Sequence, residues 1–406
     1  MARESALEIE ECLQLLLAQV KPQPVREVPL SDAWGMVLAE EVRAEISVPP
    51  FPKSAMDGYA VCAADLEGTD GEHPARFPVT GQLFAGDYEE IPYRKNTALR
   101  VMTGAFIPEG YDAVIRQEDT DYGEDTVTIY TDIKPYRNYC KQGEDIREGD
   151  LVAAAGARLT PLQIGLLAEV GTGKVKVYEP LRVAIICTGS ELANVGQPLA
   201  PGKIYNNISY ILAASIRREG LVVSRMELCE DEEEVLYQKL QEALEISDLV
   251  ITTGGVSVGK KDIVPTVLQK LGGDILFRRA NIQPGTPTTG SVKDGKVILS
   301  LSGNPYAAMV NFDIYFWALA AKMMQHESFD TVKTTAVLKT PYSRQNRQRR
   351  FLRAKYEAGE VFLPTSVHAS SVIYNLTECN CYIDLEPGRC PQVGEEVRVW
   401  MTRSAL

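Results

Sequence analysis

Between residues 181 and 324, short apolar runs alternate with longer stretches of helical periodicity. The apolar runs are 181–187 (LRVAIIC), 221–228 (LVVSRMEL), 248–253 (DLVITT), 274–280 (DILFRRA) and 296–301 (KVILSL). Runs of this kind are typical of buried strands, and the stretches between them favour helices. The alternation predicts a central, doubly wound α/β domain with a mostly parallel sheet.

The sequence on either side of this region has a different pattern. Residues 54–135 contain short β-like runs between Gly, Pro and Asp clusters, which predicts a small β-rich module. The segment VPPFPK at 48–53 interrupts any regular element and predicts a domain boundary. Helices are predicted at 5–20 and 160–171. After residue 327 the pattern is β-like again, which predicts a C-terminal β-barrel or sandwich.

Three of the predicted strands end in turns rich in Gly, Ser, Thr and Asn. The residues at these turns are Thr188, Gly189 and Ser190; Gly254, Gly255, Ser257 and Gly259; and Gly303, Asn304 and Pro305. Ligands of open α/β sheets bind beyond the carboxyl ends of strands, so the three turns predict a pocket for a phosphate or phosphate ester. Ordinary β–α turn chemistry uses the same residue types and is the alternative. A Walker A motif and a G-x-G-x-x-G motif are both missing, which argues against nucleotide triphosphatases and dinucleotide enzymes.

Acidic residues stand next to these turns. Glu191, Asp231 and Asp262 would repel a phosphate unless a divalent cation bridged them, and Mg²⁺ suits oxygen ligands and phosphates. We therefore predict a magnesium site from these three residues. The alternative for Asp231 and Asp262 is an acidic first turn of a helix, which needs no metal.

The charge balance limits the partners that this chain binds. Lys and Arg total 42 against 55 Asp and Glu, which gives a net charge of −13. This charge argues against bulk binding of nucleic acid or of an anionic membrane surface.

The chain shows no signal-peptide pattern and no apolar run long enough to cross a bilayer. With eight cysteines and no C-x-x-C pair, reduced thiols and a cytoplasmic location are expected.

Two further segments lie in the N-terminal half. PPFPKSAMDGYAV at 49–61 contains Asp57 followed by Gly58. LRVMTGAFIPEGYDAVIRQED at 99–119 contains Thr103 followed by Gly104, directly after an apolar run. Taken alone, Asp57–Gly58 is typical of a hairpin turn.

Read in order, several segments resemble the successive motifs of the molybdopterin molybdenumtransferase family, that is, the MoeA proteins and the gephyrin E domain. The segments are PPFPKSAMDGYAV, RVMTGAFIPEGYDAVI, GEDI, TGSEL, TTGGVSVGKKD, NIQPGTP and LSGNP. The resemblance implies a multidomain α/β plus β subunit in four parts. These are an elongated helical region (1–48 with 140–177), a β-rich insert (49–139), an α/β molybdopterin-binding domain (178–326) and a C-terminal β domain (327–406).

The resemblance also implies an activity. Members of the family insert molybdate into adenylylated molybdopterin (molybdopterin-AMP) with the help of Mg²⁺ and release AMP. They act as homodimers whose sites lie between the α/β domain of one subunit and the insert of the other. Carried over by motif, the catalytic residues are Asp57, Thr103, Glu191, Asp231 and Asp262, although Glu230 or Glu232 is an alternative to Asp231. Arg279 joins the turn residues as a substrate-binding candidate, and the partners implied are a molybdopterin adenylyltransferase and downstream molybdoenzymes.

This chain departs from the family pattern at the expected oxyanion site. Gln283 and Thr286 stand where the family usually has lysines, and Ser302 and Ala307 replace a proline and a serine. Gln283, Thr286, Arg350 and Arg353 are the remaining oxyanion candidates, unless the arginines belong to a solvated strand face. Two other functions stay open: a non-catalytic pterin-binding carrier or scaffold with a degenerate molybdate site, and an adenylyltransferase.

Overall fold

The computed structural model describes residues 5–256, 263–365, 369 and 371–403. The chain forms two compact units. The first unit comprises Met1–Glu27, Gly35–Ala39 and Lys176–Leu406, and the second comprises Val28–Trp34 and Glu40–Val175.

The elements follow the chain in this order. Up to residue 178 they are α1 (Ile9–Leu17), β1 (Val25–Pro29), β2 (Val42–Arg43), β3 (Lys53–Ser54), β4 (Gly58–Val61), β5 (Ala75–Leu83), β6 (Ala98–Val101), β7 (Ala113–Arg116), β8 (Thr126–Ile129), β9 (Tyr139–Cys140), β10 (Leu151–Ala153), α2 (Pro161–Glu169) and β11 (Lys174–Tyr178). From there to residue 301 they are β12 (Arg182–Thr188), β13 (Leu192–Ala193), β14 (Ile204–Tyr205), α3 (Ile208–Arg218), β15 (Val222–Cys229), α4 (Glu233–Ile246), β16 (Leu249–Thr253), α5 (Val264–Lys270), β17 (Asp274–Arg279), β18 (Ile282–Gln283), β19 (Pro287–Lys293) and β20 (Lys296–Leu301). The remainder are α6 (Pro305–Asn311), α7 (Trp317–Met324), β21 (Lys333–Leu338), β22 (Arg349–Glu357), β23 (Glu360–Phe362), β24 (Cys381–Leu385) and β25 (Glu396–Met401).

A π-helical turn, Phe312–Phe316, joins α6 to α7. Short 3₁₀ turns occur at Leu30–Asp32, Ala63–Leu66, Gln117–Asp119, Glu327–Phe329 and Tyr374–Glu378.

A six-stranded sheet in the order β15-β12-β16-β20-β19-β17 forms the centre of the first unit. The first four strands are parallel to one another, and β19 pairs antiparallel with β20 on one side and with β17 on the other. Along β12, Val183 and Ile185 pack into one apolar cluster with α3 and α6, whereas Ala184 and Ile186 pack into a second cluster with α4 and α5. Helices thus cover both faces of the sheet, which confirms the predicted doubly wound α/β domain.

The C-terminal strands close into a barrel. The order β22-β23-β21-β25-β24 closes because β24 pairs with β22. The short strand β18 is an additional partner of β22 and pairs with its first two residues. An apolar cluster that includes Leu352, Ile383 and Val399 fills the interior. Of the two predicted possibilities, the C-terminal domain is the barrel, whose closure removes the edge strands of an open sheet.

The second unit contains a five-stranded sheet in the order β7-β4-β6-β5-β8. Its helix α2 lies within the predicted range 160–171 and begins as the sequence indicates. The hydroxyl of Thr160 accepts the N–H of Gln163 at 3.3 Å, and the Gln163 side chain accepts the N–H of Thr160 at 2.9 Å. This reciprocal capping satisfies two of the otherwise unpaired donors at the start of the helix.

One carboxylic acid lies in the apolar core of the first unit. Asp313, in the π-helical turn, is fully buried. Its Oδ2 accepts hydrogen bonds from Thr402 at 2.7 Å and Tyr382 at 2.9 Å, and its Oδ1 accepts one from Trp317 at 3.1 Å. Burial outweighs these donors and raises the pKa of Asp313 to about 6.

We expect Asp313 to make stability depend on pH. Because the folded protein holds this proton more tightly than the unfolded chain, its stabilising effect is complete below pH ~4 and is lost as the pH rises through about 6. The difference between the ordinary pKa of 3.8 and about 6 corresponds to roughly 3 kcal/mol of unfolding free energy. Urea denaturation followed by tryptophan fluorescence should show this loss in the wild type and not in Asp313→Asn. Identical slopes of unfolding free energy against pH in the two proteins would contradict the titration.

Candidate functional site

A cleft of about 940 Å³ lies at the carboxyl ends of β12, β16 and β20. All three turns identified in the sequence line it, with Thr188 and Gly189 from the first, Gly254 and Gly255 from the second, and the segment 302–305 from the third. The strands are parallel neighbours, so their carboxyl ends meet at one edge of the sheet. The structure therefore gathers these turns at one place, although their roles in binding remain predictions.

The glycines let two of these turns touch through their backbones. Gly254 has φ +88°, and a Cβ placed on it would lie 2.1 Å from the carbonyl oxygen of Thr188. The N–H of Gly254 donates to the carbonyl of Leu301 at 3.1 Å, which also ties this turn to β20. A side chain at position 254 would separate the turns, which is the physical reason for glycine here.

One polar atom in the cleft has no partner. The hydroxyl oxygen of Thr188 is buried and makes no hydrogen bond with any described residue. Thr188 itself is only 3% exposed. A buried hydroxyl without a partner costs free energy, so a ligand that bonds to it would be stabilised.

Two of the three predicted magnesium ligands line the cleft, Glu191 and Asp231. The backbone N–H of Ser190 donates to Oδ2 of Asp231 at 2.9 Å, which fixes that carboxylate beside the first turn. Neither Glu230 nor Glu232 is among the described residues that line the cleft, so of these three acids Asp231 is the one in its lining.

The third predicted ligand, Asp262, lies outside the described residues, as do Ser257 and Gly259. Among residues 5–256, 263–365, 369 and 371–403, no group of three or more His, Cys, Asp or Glu side chains is placed to hold a metal ion. The magnesium site thus remains a prediction.

Asp57 and Thr103 form a contact of their own in the second unit. Oδ1 of Asp57 accepts both the backbone N–H and the hydroxyl of Thr103, each at 2.7 Å. The backbone N–H and then the hydroxyl of Thr103 hold the pKa of Asp57 below its ordinary value. Asp57 is not in a hairpin turn, because β3 before it pairs with β9, whereas β4 after it pairs with β6 and β7. A Cβ on Gly58 would lie 1.9 Å from the carbonyl oxygen of Ile115.

The residues that depart from the family pattern also lie at the cleft. Gln283, Thr286, Ser302 and Ala307 all line it. The Thr286 hydroxyl donates to the carbonyl of Ile282 at 2.6 Å, so its proton is already used within the loop. None of these four side chains brings a positive charge to the cleft.

The arginine candidates have three different surroundings. Arg279 is exposed at the end of β17 and is not among the described residues that line the cleft. Arg353 is fully buried, lies over the Tyr306 ring at 3.7 Å and donates to the carbonyls of Ala369 and Val372. Arg350 is 8% exposed and contacts Gln283. A solvated strand face is therefore the wrong description of Arg350 and Arg353.

The sequence did not indicate every residue of the cleft. Ser371, Asn206 and Asn207 also line it. The paired asparagines directly before α3 were a usable signal, since asparagine is common where a helix begins. Ser371 lies in a loop far along the chain, and no local pattern marks it.

Comparison with known proteins agrees with this architecture. The family model described as the MoeA N-terminal region (domains I and II) matches residues 7–171, a probable molybdopterin binding domain matches 184–321, and the MoeA C-terminal region (domain IV) matches 335–401.

Individual relatives match over nearly the whole chain. The molybdopterin molybdenumtransferase of Staphylococcus epidermidis is 34% identical, covering 99% of this chain and 97% of that protein, and the Staphylococcus aureus enzyme is 32% identical over the same shares. The crystal structure of a molybdopterin biosynthesis MoeA protein from Pyrococcus horikoshii superimposes with a TM-score of 0.86 at 30% identity, covering 98% of this chain and 99% of that one. By the extent of these matches and by its fold, the chain belongs to the MoeA family of molybdopterin molybdenumtransferases.

Proposed function

We propose that this chain inserts molybdenum from molybdate into adenylylated molybdopterin and releases AMP. The observation that carries the proposal is the cleft at the carboxyl edge of the sheet, with its unpartnered Thr188 hydroxyl, in a chain that matches named molybdenumtransferases from end to end. Its volume of about 940 Å³ is within the range of sites that hold ligands of this size. Molybdate is a substrate in this reaction and not a resident cofactor.

The residues of the cleft have separable tasks in this proposal. Gly254 and Gly255 let the pterin phosphate approach the backbone, and Thr188 bonds to the ligand. Glu191 and Asp231 would hold Mg²⁺ together with substrate phosphate oxygens, which fits the preference of this ion for one or two carboxylates plus phosphates. When bound, the ion would neutralise charge on the phosphoanhydride. Asp262 is proposed as the third ligand on the resemblance alone.

AMP release tests this function directly. Full-length protein is incubated with adenylylated molybdopterin, Mg²⁺ and molybdate, and nucleotides are separated by chromatography. We expect AMP to form and its rate to depend on molybdate. A pterin-binding carrier would retain the adenylate and release no AMP, and an adenylyltransferase would instead form the adenylate from nucleotide triphosphate and molybdopterin.

We also propose that the chain acts as a homodimer in which Asp57 and Thr103 of one subunit complete the cleft of the other. Support comes from the family and from the exposed apolar residues of α2, where Leu162 is 83% and Leu166 38% exposed. An apolar helix face of this kind favours burial against a partner.

Light scattering should give about twice the chain mass of 44.8 kDa. Leu162→Glu should shift the measured mass toward that of the monomer, whereas Leu199→Glu, at another exposed leucine, should not.

Coexpression tests the shared site: Asp57→Asn and Glu191→Gln are each expected to be inactive, but their hybrid dimer contains one intact site. Random pairing should then restore about a quarter of wild-type activity. A monomeric wild type, or no recovery in the hybrid, would contradict this arrangement.

We place the enzyme in the cytoplasm, between a molybdopterin adenylyltransferase that supplies its substrate and molybdoenzymes that receive its product. All eight cysteines are unpaired in the structure, which supports a reducing compartment. Among the described residues, no helix combines the length and apolar character needed to cross a bilayer.

A further inference from the structure

A short parallel ladder, β13 with β14, borders the large cleft. We call residues 192–205, which contain both strands, the strap. Its two ends are fixed to the first turn of the cleft. The N–H of Leu192 donates to the carbonyl of Gly189 at 3.0 Å, and the N–H of Ile204 donates to the carbonyl of Glu191 at 2.8 Å. The strap is therefore held against the turn that carries a predicted magnesium ligand.

Tyr205 brings a ring to the cleft from the end of the strap. Among the described residues that line the cleft, it is the one aromatic side chain. The side chain is 42% exposed, yet its hydroxyl donates to the carbonyl of Gln197 at 2.7 Å. The next N–H, of Asn206, donates to the carbonyl of Ala193 at 3.1 Å. A ring that is anchored in this way loses little conformational freedom when a planar ligand stacks on it.

Lys203 brings a positive charge to the same edge. The described part of the cleft lining includes the carboxylates of Glu191 and Asp231 but no Lys, Arg or His. Lys203 is exposed, and its Nζ donates to the carbonyl of Ser190, whose own N–H holds Asp231. Within the described ranges it forms no ion pair with a carboxylate. Because a carbonyl oxygen is neutral, the charge of Lys203 is left for an anion that enters beside the strap.

The order of the strands decides which part of the substrate reaches the strap. At the carboxyl edge of the sheet, the end of β12 lies between those of β16 and β15. In the proposed function, the pterin phosphate lies at Gly254 after β16, and the phosphoanhydride lies at Glu191 and Asp231, after β12 and β15. The adenosine is on the far side of the phosphoanhydride from the pterin. It therefore extends toward the strap, which follows Glu191 directly.

We propose that the strap binds the adenosine monophosphate portion of the substrate, with Tyr205 stacked on the adenine and Lys203 bonded to the phosphate next to it. The inference rests on the proposed function for its ligand. Stacking on an aromatic side chain suits adenine because every base has a π-face. The lysine ammonium is a compact charge that pairs with phosphate oxygens, and it would exchange the Ser190 carbonyl for one of them. Tyr205 thus selects for a base, and Lys203 selects for a phosphate.

Ligand-observed NMR titration of the full-length protein with Mg²⁺ tests both roles, with AMP, adenosine and ribose 5-phosphate as separate probes. Tyr205→Ala should weaken the binding of AMP and adenosine about tenfold or more and leave ribose 5-phosphate unchanged. Lys203→Gln should weaken AMP and ribose 5-phosphate several-fold and leave adenosine unchanged. A general loss of structure in the strap would not separate the probes in this way.

Three further variants serve as controls. Tyr205→Phe keeps the ring and should retain most of the AMP affinity. Tyr210→Ala removes another exposed tyrosine, 48% exposed on α3, which is not among the described residues of the lining. Lys322→Gln removes an exposed lysine whose Nζ also donates to a backbone carbonyl, that of Leu17 at 2.7 Å. Tyr210→Ala and Lys322→Gln should bind all three probes within about twofold of the wild type.

No AMP binding by the wild type, or wild-type AMP affinity in both Tyr205→Ala and Lys203→Gln, would overturn the proposal. Failure of adenosine or ribose 5-phosphate to bind the wild type would overturn the role of the residue that should hold it. Unchanged AMP affinity in Tyr205→Ala with a raised KM for adenylylated molybdopterin would assign the ring to the pterin and overturn the adenine assignment.

The proposal and the proposed function fail separately. AMP binding that depends on Tyr205 and Lys203, in a protein that releases no AMP from adenylylated molybdopterin, would keep the strap site and remove the function. Molybdate-dependent AMP release with wild-type KM in both variants would keep the function and remove the strap site.

Discussion

Asp57→Asn is expected to lower the rate of molybdate-dependent AMP release by roughly 10²-fold or more, the usual scale for losing a carboxylate that acts on the substrate. The Asp57 carboxylate lies outside the apolar core. Its Oδ1 is held by the N–H and hydroxyl of Thr103, while Oδ2 accepts no hydrogen bond from the described residues and is open to a ligand. The side chain is partly exposed, so its change to an amide should leave folding nearly intact.

Asp121→Asn is the matched control for this substitution. Oδ1 of Asp121 also accepts two hydrogen bonds in the second unit, here both from backbone N–H groups, of Thr128 at 2.8 Å and of Gly123 at 3.1 Å. The control therefore loses comparable local contacts at a position with no proposed role. AMP release should be measured in both variants alongside their thermal midpoints. Equal rates in Asp57→Asn, Asp121→Asn and wild type would show that Asp57 serves the fold of its loop alone.

Gly254→Ala is expected to remove AMP release and to destabilise the first unit by roughly 3–5 kcal/mol, the upper range for single substitutions. Two costs add at this position. The φ of +88° is one that residues with a side chain rarely adopt, and the new Cβ would lie 2.1 Å from the Thr188 carbonyl oxygen. The backbone must move to relieve the clash, and that movement separates two of the turns that line the cleft.

Gly196→Ala carries the first of these costs alone. Gly196 has nearly the same φ, +89°, but a Cβ there meets no atom within 4 Å. It should lose only the conformational part, about 1 kcal/mol, and keep near wild-type AMP release. Urea denaturation and the AMP assay on both variants separate the two costs. A Gly254→Ala protein that is as stable and active as Gly196→Ala would mean that the turns do not need to touch.

Local patterns were sufficient for the parallel strands of the α/β domain and the helices between them. The alternation of apolar runs and amphipathic stretches predicts the four parallel strands and the helices between them, because burial on both faces of a strand and on one face of a helix leaves different periods in the sequence. The start of α2 was equally readable, since Thr160, Pro161 and Gln163 act within one helical turn.

Two errors have a common physical cause. Strand β19 went unpredicted because PTTGSVK has no apolar run, and pairing with β20 and β17 supplies what the sequence lacks. Asp57–Gly58 has the residues of a hairpin turn, yet Gly58 is required by the carbonyl of Ile115, more than fifty positions away. In each case a contact between distant segments outweighs local preference.

The sequence by itself determined the family, the doubly wound domain and the identity of the three turns, because motif order and hydrophobic period are properties of neighbouring residues. Only the tertiary structure decided which charges are compensated. Arg349 and Arg350 are adjacent residues of the same type. The Arg349 guanidinium forms ion pairs with Asp384 and Glu10, whereas Arg350 lines a small cavity together with Arg344. The free energy of a buried charge depends on what lies within a few ångströms of it, and that distance is set by the fold.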